Sequence, residues 1–467
     1  MIRNQKLTAP TGAGDKAAIK SKKSQGEIMS APAHPSAARQ PVRAAAAAFI
    51  GTTIEWYDFY IYATAAALVF GKVFFPTADP FVSTMASFGT FAAGFLARPL
   101  GGLVFGHLGD RVGRKNALMA TLVIMGVATV GIGLLPSYTQ AGMLAPALLL
   151  VLRLAQGLAV GGEWGGAVLM AGEHASQRRR TFAASFAQLG SPAGLILSLV
   201  AFRLITTLDE TDFLAWGWRI PFLVSAVLLV VGYFIRIGVS ESPDFAKVLA
   251  QQETSEVPAR EVLRTAWRTV LLCMGVCTVA IGGIYFTNTF MLAYTTQTLG
   301  LDRAMILDCL FAVAIIQLIV QPLAAWFAES LGTSRVLMIA AACSVLAPYP
   351  MFMLVSQATP LSIVAGIAIV LVFMATIYSA MAGFISAAFE THVRYSGISL
   401  SYQLCGAVAG GFTPLIGTWL SHQYPGQWLP LALFYSALSA ITLVSIWGLA
   451  NHQPRRAASA RTVTPAA

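Results

Sequence analysis

From about residue 44 to residue 450, long apolar runs alternate with short polar connections. A bilayer crossing takes about 20 apolar residues at a rise of ~1.5 Å each. Runs at 44–70, 83–106, 116–135, 143–172, 181–205, 218–237, 269–295, 305–328, 336–355, 361–389, 396–421 and 429–450 meet that length. Inside hydrocarbon every backbone polar group must be satisfied within its own segment, so these runs predict twelve transmembrane helices. The long polar connection from Gly238 to Trp267 divides them six and six. The expected architecture is an all-α membrane protein in two six-helix halves, 44–237 and 269–450. A linker at 238–268 joins them, a disordered tail covers 1–43, and a second tail covers 451–467.

Charge sets the expected orientation. Alternate connections carry Arg111, Arg114 and Lys115, then Arg178, Arg179 and Arg180, then Lys247, Arg260 and Arg264, then Arg335 and Arg394, with Arg455, Arg456 and Arg461 in the tail. The opposite set is nearly bare of lysine and arginine, and Thr206 to Gly217 holds Asp209, Glu210 and Asp212. The positive-inside tendency then puts both termini in the cytoplasm.

Composition agrees with a polytopic protein, since 57% of residues are hydrophobic and only 11% charged, against about 25% charged in soluble domains. A net charge of +10 would raise the question of nucleic acid in a soluble protein. Here the basic residues follow the topology and no nucleic-acid motif accompanies them, so no such partner is expected. Cys273, Cys277, Cys309, Cys343 and Cys405 all fall within apolar runs, with no histidine or carboxylate completing a metal set. They read as packing residues, and neither metal nor cofactor is expected. The first 43 residues lack an apolar core of signal-peptide length.

Charges inside the spans are the candidate chemistry, because an ionisable residue at mid-bilayer costs at least ~2.5–3.5 kcal/mol. Glu55 lies about eleven residues into the first span and Arg153 about ten into the fourth, ~15–16 Å deep in each case. Glu55, Asp58 and Tyr62 share one helical face, with Trp56 and Phe59 pointing elsewhere. Either carboxylate can carry a proton or neutralise Arg98 or Arg153 in a fixed ion pair, and the sequence leaves these readings open. Arg153, Gln156 and Gly157 share a face of the fourth span, with Glu163 close to the same stripe as a third proton-carrying candidate. A guanidinium suits a substrate carboxylate because it forks onto both oxygens and stays charged. The alternative is an arginine that ties the first and fourth helices together through Glu55. Tyr285, Asn288, Gln317, Tyr402 and Gln403 offer neutral hydrogen-bonding groups from the second half, for a ligand or for a neighbouring helix. Arg98, ahead of Pro99 and nearer the cytoplasm, is expected to serve a structural or gating role.

Gly106-His107-Leu108-Gly109-Asp110-Arg111-Val112-Gly113-Arg114-Lys115, read as a short loop between two spans, closely resembles the signature of the major facilitator superfamily. Glu241-Ser242-Pro243 resembles an element found after the sixth helix of many of its members. A faint echo of the signature lies at Ala325 to Gly332, which keeps an acid, Glu329, and a glycine. Glu55-Trp56-Tyr57-Asp58-Phe59-Tyr60, Arg98-Pro99-Leu100-Gly101-Gly102, Arg153-Leu154-Ala155-Gln156-Gly157, Gly161-Gly162-Glu163-Trp164-Gly165-Gly166 and Trp216-Gly217-Trp218-Arg219-Ile220-Pro221-Phe222 together resemble its metabolite:proton symporter family. Arg394-Tyr395-Ser396-Gly397, Tyr402-Gln403 and Gly410-Gly411-Phe412-Thr413-Pro414 extend the likeness.

The resemblance implies an inner-membrane carrier that couples a small organic solute to proton entry by alternating access. It implies contact with the bilayer and with protons, gating by Arg98, Asp110, Arg111 and Arg114, and a monomer. The 161–166 and 216–222 runs look most like the organic-acid branch, including shikimate carriers. The short C-terminal tail makes an osmolyte carrier the second reading, followed by a proton-driven exporter. A transporter-like sensor lacks room for a signalling domain, and a membrane enzyme lacks a cluster of catalytic groups.

Overall fold

The computed structural model describes residues 40–77, 79–112, 114–161, 188–237, 258–390 and 394–461. Among them the regular structure is helical throughout. In chain order the long helices are α1 (Gln40–Leu68), α2 (Pro80–Val112), α3 (Arg114–Gly133), α4 (Leu144–Gly161), α5 (Gly190–Ile205) and α6 (Arg219–Ile237). The second set is α7 (Trp267–Thr298), α8 (Arg303–Leu331), α9 (Thr333–Leu346 with Pro348–Val355), α10 (Pro360–Ser386), α11 (Arg394–Cys405 through Gly411–Gln423) and α12 (Leu429–Arg461). Nine of the described helices are long and apolar enough to cross a membrane, or ten if α9, bent by 44°, is one span. Pro348 causes that bend by removing a backbone donor. Val127, Val151, Val227, Phe234, Leu361 and Val444 form part of an outward apolar belt, which suits lipid as the surrounding solvent.

The described residues of the stretch read as a loop, 106–112 and 114–115, are instead helical. Helix α2 runs to Val112 and α3 begins at Arg114. In the faint echo in the second half, α8 ends at Leu331 and α9 begins at Thr333. Gly332 alone joins them with φ of 95°, a conformation that favours glycine. The helices also overrun the predicted spans, since α1 begins at Gln40 and α12 continues to Arg461. Within the expected linker, Pro258–Thr265 is helical. The first 39 residues lie outside the described ones.

Helix pairing repeats with an offset of six: α2 packs on α4 and α8 on α10, while α3 packs on α6 and α9 on α12. The most extensive contacts between the first and last six are α5 with α8 and α2 with α11, which exchange under the same offset. That pattern is what two parallel repeats facing one another would give.

At the end of the bundle where α1 finishes, the two sets are tied by polar contacts. Glu210 takes Lys72 Nζ on Oε1 at 2.8 Å and Arg303 Nη2 on Oε2 at 2.7 Å. Arg203 Nε meets Asp308 Oδ1 at 2.8 Å, Gln297 Nε2 donates to the Ala67 carbonyl at 2.6 Å, and Phe81 stacks on His422. Exposed ion pairs contribute only about 0.2–1 kcal/mol each, so this end is closed by weak contacts that can be remade. Glu210→Gln should open it part of the time. Spin labels at the exposed Val82 and Tyr424 should report a longer distance component; an unchanged distribution would mean that Glu210 does not hold this end closed.

Candidate functional site

The centre of the bundle is built around two buried arginines. Helices α2 and α4 bring them close because small residues remove side chains from the contact. A Cβ on Gly157 would meet the Gly94 carbonyl, one on Gly161 the Arg98 carbonyl and one on Gly101 the Leu158 carbonyl. The Arg153 stem fills the space that a Cβ on Gly94 would need. Gly157 and Gly161 therefore form a packing face that fixes the backbone carrying Arg98 and Arg153. Gly161→Ala should cost about 1–3 kcal/mol of overpacking and lower the melting temperature of the purified protein by several degrees. An unchanged melting temperature would contradict this contact.

Arg153 is fully buried. Its Nη1 donates to Gln156 Oε1 at 3.0 Å, and Nε and Nη2 have no hydrogen-bond partner. A forked pair with a carboxylate would engage two nitrogens, so Arg153 is not locked in the fixed ion pair that the sequence left open. Aromatic rings surround it instead, with its Cζ 4.0 Å from the Tyr62 ring centre, 4.7 Å from Phe59 and 5.1 Å from Phe91. Arg98 shares that cluster, 4.2 Å from Phe59 and 3.9 Å from Phe95. Tyr285 of α7 stands edge-on to Phe91 and Phe95, which brings the second half of the chain to the same group. Ring faces stabilise guanidinium groups within about 6 Å, so the cluster holds positive charge where water is excluded.

Helix α1 presents a different face from the one expected. Glu55, Trp56, Phe59, Arg98, Val160, Tyr402 and Gln403 line a cavity of about 10 Å³, room for about one water. Trp56 and Phe59 thus share the cavity with Glu55, while Asp58 lies buried toward α6, where Ser225 Oγ donates to its Oδ1 at 2.6 Å. Successive helical positions 100° apart explain this: 55, 56 and 59 span one side and 58 and 62 another. Tyr62 donates to or accepts from Thr90 at 2.6 Å. Gln156 Nε2 donates to Thr129 Oγ1 of α3 at 2.8 Å, so Gln156 bridges Arg153 to α3. Arg98, expected nearer a gate, lines the cavity.

Among the second-half candidates, Gln403 Nε2 donates to the Gly161 carbonyl at 3.0 Å, across the α4–α11 boundary. Its Oε1 has no partner, nor do the amide atoms of Asn288, Gln317 and Gln321, all buried. Asn288 sits in a π-helical turn at Phe286–Phe290, and Tyr402 and Gln403 just precede another at Gly406–Gly410. Such turns unsatisfy part of the helix ladder and re-aim side chains, and they are frequent at functional sites. Glu163 and the side chains of Asp110, Arg111 and Arg114 lie outside the described residues. Sequence reasoning missed Trp56, Phe59, Thr129 and Ser225 as parts of the site. Only their polarity in apolar runs marked the two hydroxyls.

A sequence profile described as Major Facilitator Superfamily matches residues 48–399 and 274–466. The chain is 39% identical over 409 residues to the shikimate transporter of Escherichia coli (strain K12), covering 86% of this chain and 93% of that one. It is 37% identical over 415 residues to the inner membrane metabolite transport protein YhjE of the same organism, covering 88% and 93%. The proline/betaine transporter of Escherichia coli (strain K12) is 34% identical over 413 residues, covering 86% and 82%. Among solved structures, the D-xylose-proton symporter superposes with a TM-score of 0.70 at 17% identity, over 87% of this chain and 97% of that one. At that identity the likeness concerns the fold.

Proposed function

Because the chain belongs to the major facilitator superfamily and its metabolite:proton symporter family, of transporters rather than enzymes, we propose that it imports a small organic acid with protons. The observation that carries this reading is Arg153, a buried guanidinium with two unpartnered nitrogens, one hydrogen-bonded bridge away from α3. Such a group binds a carboxylate more strongly than water could where bulk solvent is excluded.

The working cycle runs as follows. With the cavity open to the outside, Asp58 or Glu55 takes a proton and the substrate carboxylate reaches Arg153 and Arg98. The two halves, 44–237 and 269–450, then rock about the site, breaking the Glu210 contacts on one side or those of the 106–115 signature on the other. A cavity of about 10 Å³ cannot hold an organic acid, since ligand sites span roughly 300–1,000 Å³, so helices must part to admit it. Tyr62, Tyr285, Asn288, Gln317, Tyr402 and Gln403 would orient its hydroxyls and ring. Each net positive charge moved inward gains ~2.3 kcal/mol per 100 mV, so excess protons drive accumulation. Both termini face the cytoplasm, and one chain suffices.

The second reading is a betaine or proline carrier, on the likeness to the proline/betaine transporter. Aromatic faces can hold a quaternary ammonium, but here those of Phe59, Phe95 and Tyr62 already carry two arginines, which repel one. Purified protein should be stabilised against heat by one of shikimate, 2-oxoglutarate, citrate or an aromatic acid, and not by glycine betaine. Stabilisation by betaine alone would overturn the organic-acid reading.

A further inference from the structure

Helix α7 is enclosed by protein along most of its length, and one end of it opens outward. Its large exposed apolar side chains are Trp267, 48% exposed, and Leu271, 54% exposed, both in its first two turns. The short helix before it, Pro258–Thr265, adds Leu263 at 50%. Between the two helices the chain bends at Ala266, whose φ of −128° and ψ of 20° leave the helical region. Val262 and Ala266 turn inward and are buried, which leaves Leu263, Arg264, Trp267 and Arg268 on the outside of this elbow. The Pro258–Thr265 helix packs on Arg394–Cys405, the part of α11 that brings Tyr402 and Gln403 to the cavity.

Two charges on the elbow lack partners. Among the described residues neither Arg264 nor Arg268 makes an ion pair or a hydrogen bond through its guanidinium, and Arg268 Cζ lies 5.4 Å from the Trp267 ring centre. Trp267 begins a 32-residue span, at the level where indole rings gather along the edge of the hydrocarbon. Leu271 lies about one turn deeper, ~6 Å along the helix. An occupant must therefore offer negative charge at the arginines and an apolar chain beside Leu271. A soluble phosphate or an acidic peptide has the first and not the second.

We infer that the elbow docks one anionic phospholipid. Its phosphate takes the forks of Arg264 and Arg268, and an acyl chain runs past Trp267 along Leu271. A zwitterionic lipid fits less well, because its own ammonium meets the two guanidinium groups. The docked headgroup neutralises two like charges four residues apart and holds the Pro258–Thr265 helix against α11. Lipid charge thereby bears on the helix that carries Tyr402 and Gln403. The site needs no substrate, so it stands apart from the import reading.

The test is amide hydrogen exchange of the full chain in nanodiscs of phosphatidylglycerol or of phosphatidylcholine with the same acyl chains. Phosphatidylglycerol should slow exchange in peptides covering 258–268 by at least about threefold, since each basic residue near an anionic surface adds attraction. Arg264→Gln with Arg268→Gln should erase that difference, and where the double variant does not fold, each single variant should reduce it. Arg335→Gln, which removes an exposed charge at the start of α9, should leave it intact. Inorganic phosphate added to phosphatidylcholine nanodiscs should give no protection. Equal exchange in the two lipids, a difference that survives without the two arginines, its loss in Arg335→Gln, or the same protection from inorganic phosphate would overturn the site.

Discussion

Arg153→Lys is expected to lower substrate uptake by at least about a hundredfold while the protein inserts and folds normally. The substitution keeps the charge but loses the planar fork, the two unpartnered nitrogens and the stacking on Tyr62 and Phe59. Losing a forked, charge-assisted contact costs about 3 kcal/mol, which is roughly that factor. The buried rings also accept a lysine stem poorly, yet Arg153 makes only one hydrogen bond to the protein, so folding does not depend on it. Uptake of the labelled acid, normalised to membrane-inserted protein from a fluorescent fusion, checks both parts. Wild-type uptake in Arg153→Lys would remove Arg153 from the site.

Asp58→Asn is the second large effect. The amide keeps the size and can still accept from Ser225, so α1 and α6 should remain packed. It cannot carry a proton, and uptake driven by a proton gradient should fall to equilibration, with exchange of labelled for unlabelled substrate retained. Glu55→Gln gives the contrast, because Glu55 lines the cavity and Asp58 does not. If Glu55→Gln abolishes gradient-driven accumulation and Asp58→Asn leaves it intact, the proton is carried on the cavity side of α1.

The twelve-span reading followed from run length alone, because a helix in lipid must satisfy its own backbone and needs a fixed number of apolar residues. Arg153 and the two α1 carboxylates were also legible, since charge at mid-depth is costly enough to stand out from apolar neighbours. Facing was harder. Glu55, Asp58 and Tyr62 suggested one stripe, and the structure instead sets Glu55 with Trp56 and Phe59 at the cavity and Asp58 against Ser225. The angle between positions 55 and 58 decides this only when the direction of the neighbouring helices is known.

Thr129 was illegible for a related reason. A threonine in an apolar span usually gives its proton to the carbonyl four residues back, as Thr129 does to Met125, and nothing in sequence tells such a residue from one that also accepts from a site side chain, as Thr129 does from Gln156. Arg98 was read as nearer a gate from its distance to the 106–115 signature. The close α2–α4 contact at Gly94, Gly101, Gly157 and Gly161 carries it inward to the cavity.

The most direct test of proton-coupled import is simultaneous measurement of labelled acid and internal pH in proteoliposomes holding the full chain. A panel of shikimate, 2-oxoglutarate, citrate, an aromatic acid and glycine betaine would be offered with and without an inward proton gradient. The account predicts that one acid accumulates against its own gradient, that the lumen acidifies as it enters, and that a protonophore abolishes both. Entry of that acid at the same rate and to the same level with no proton gradient, and with no change in internal pH, would contradict it.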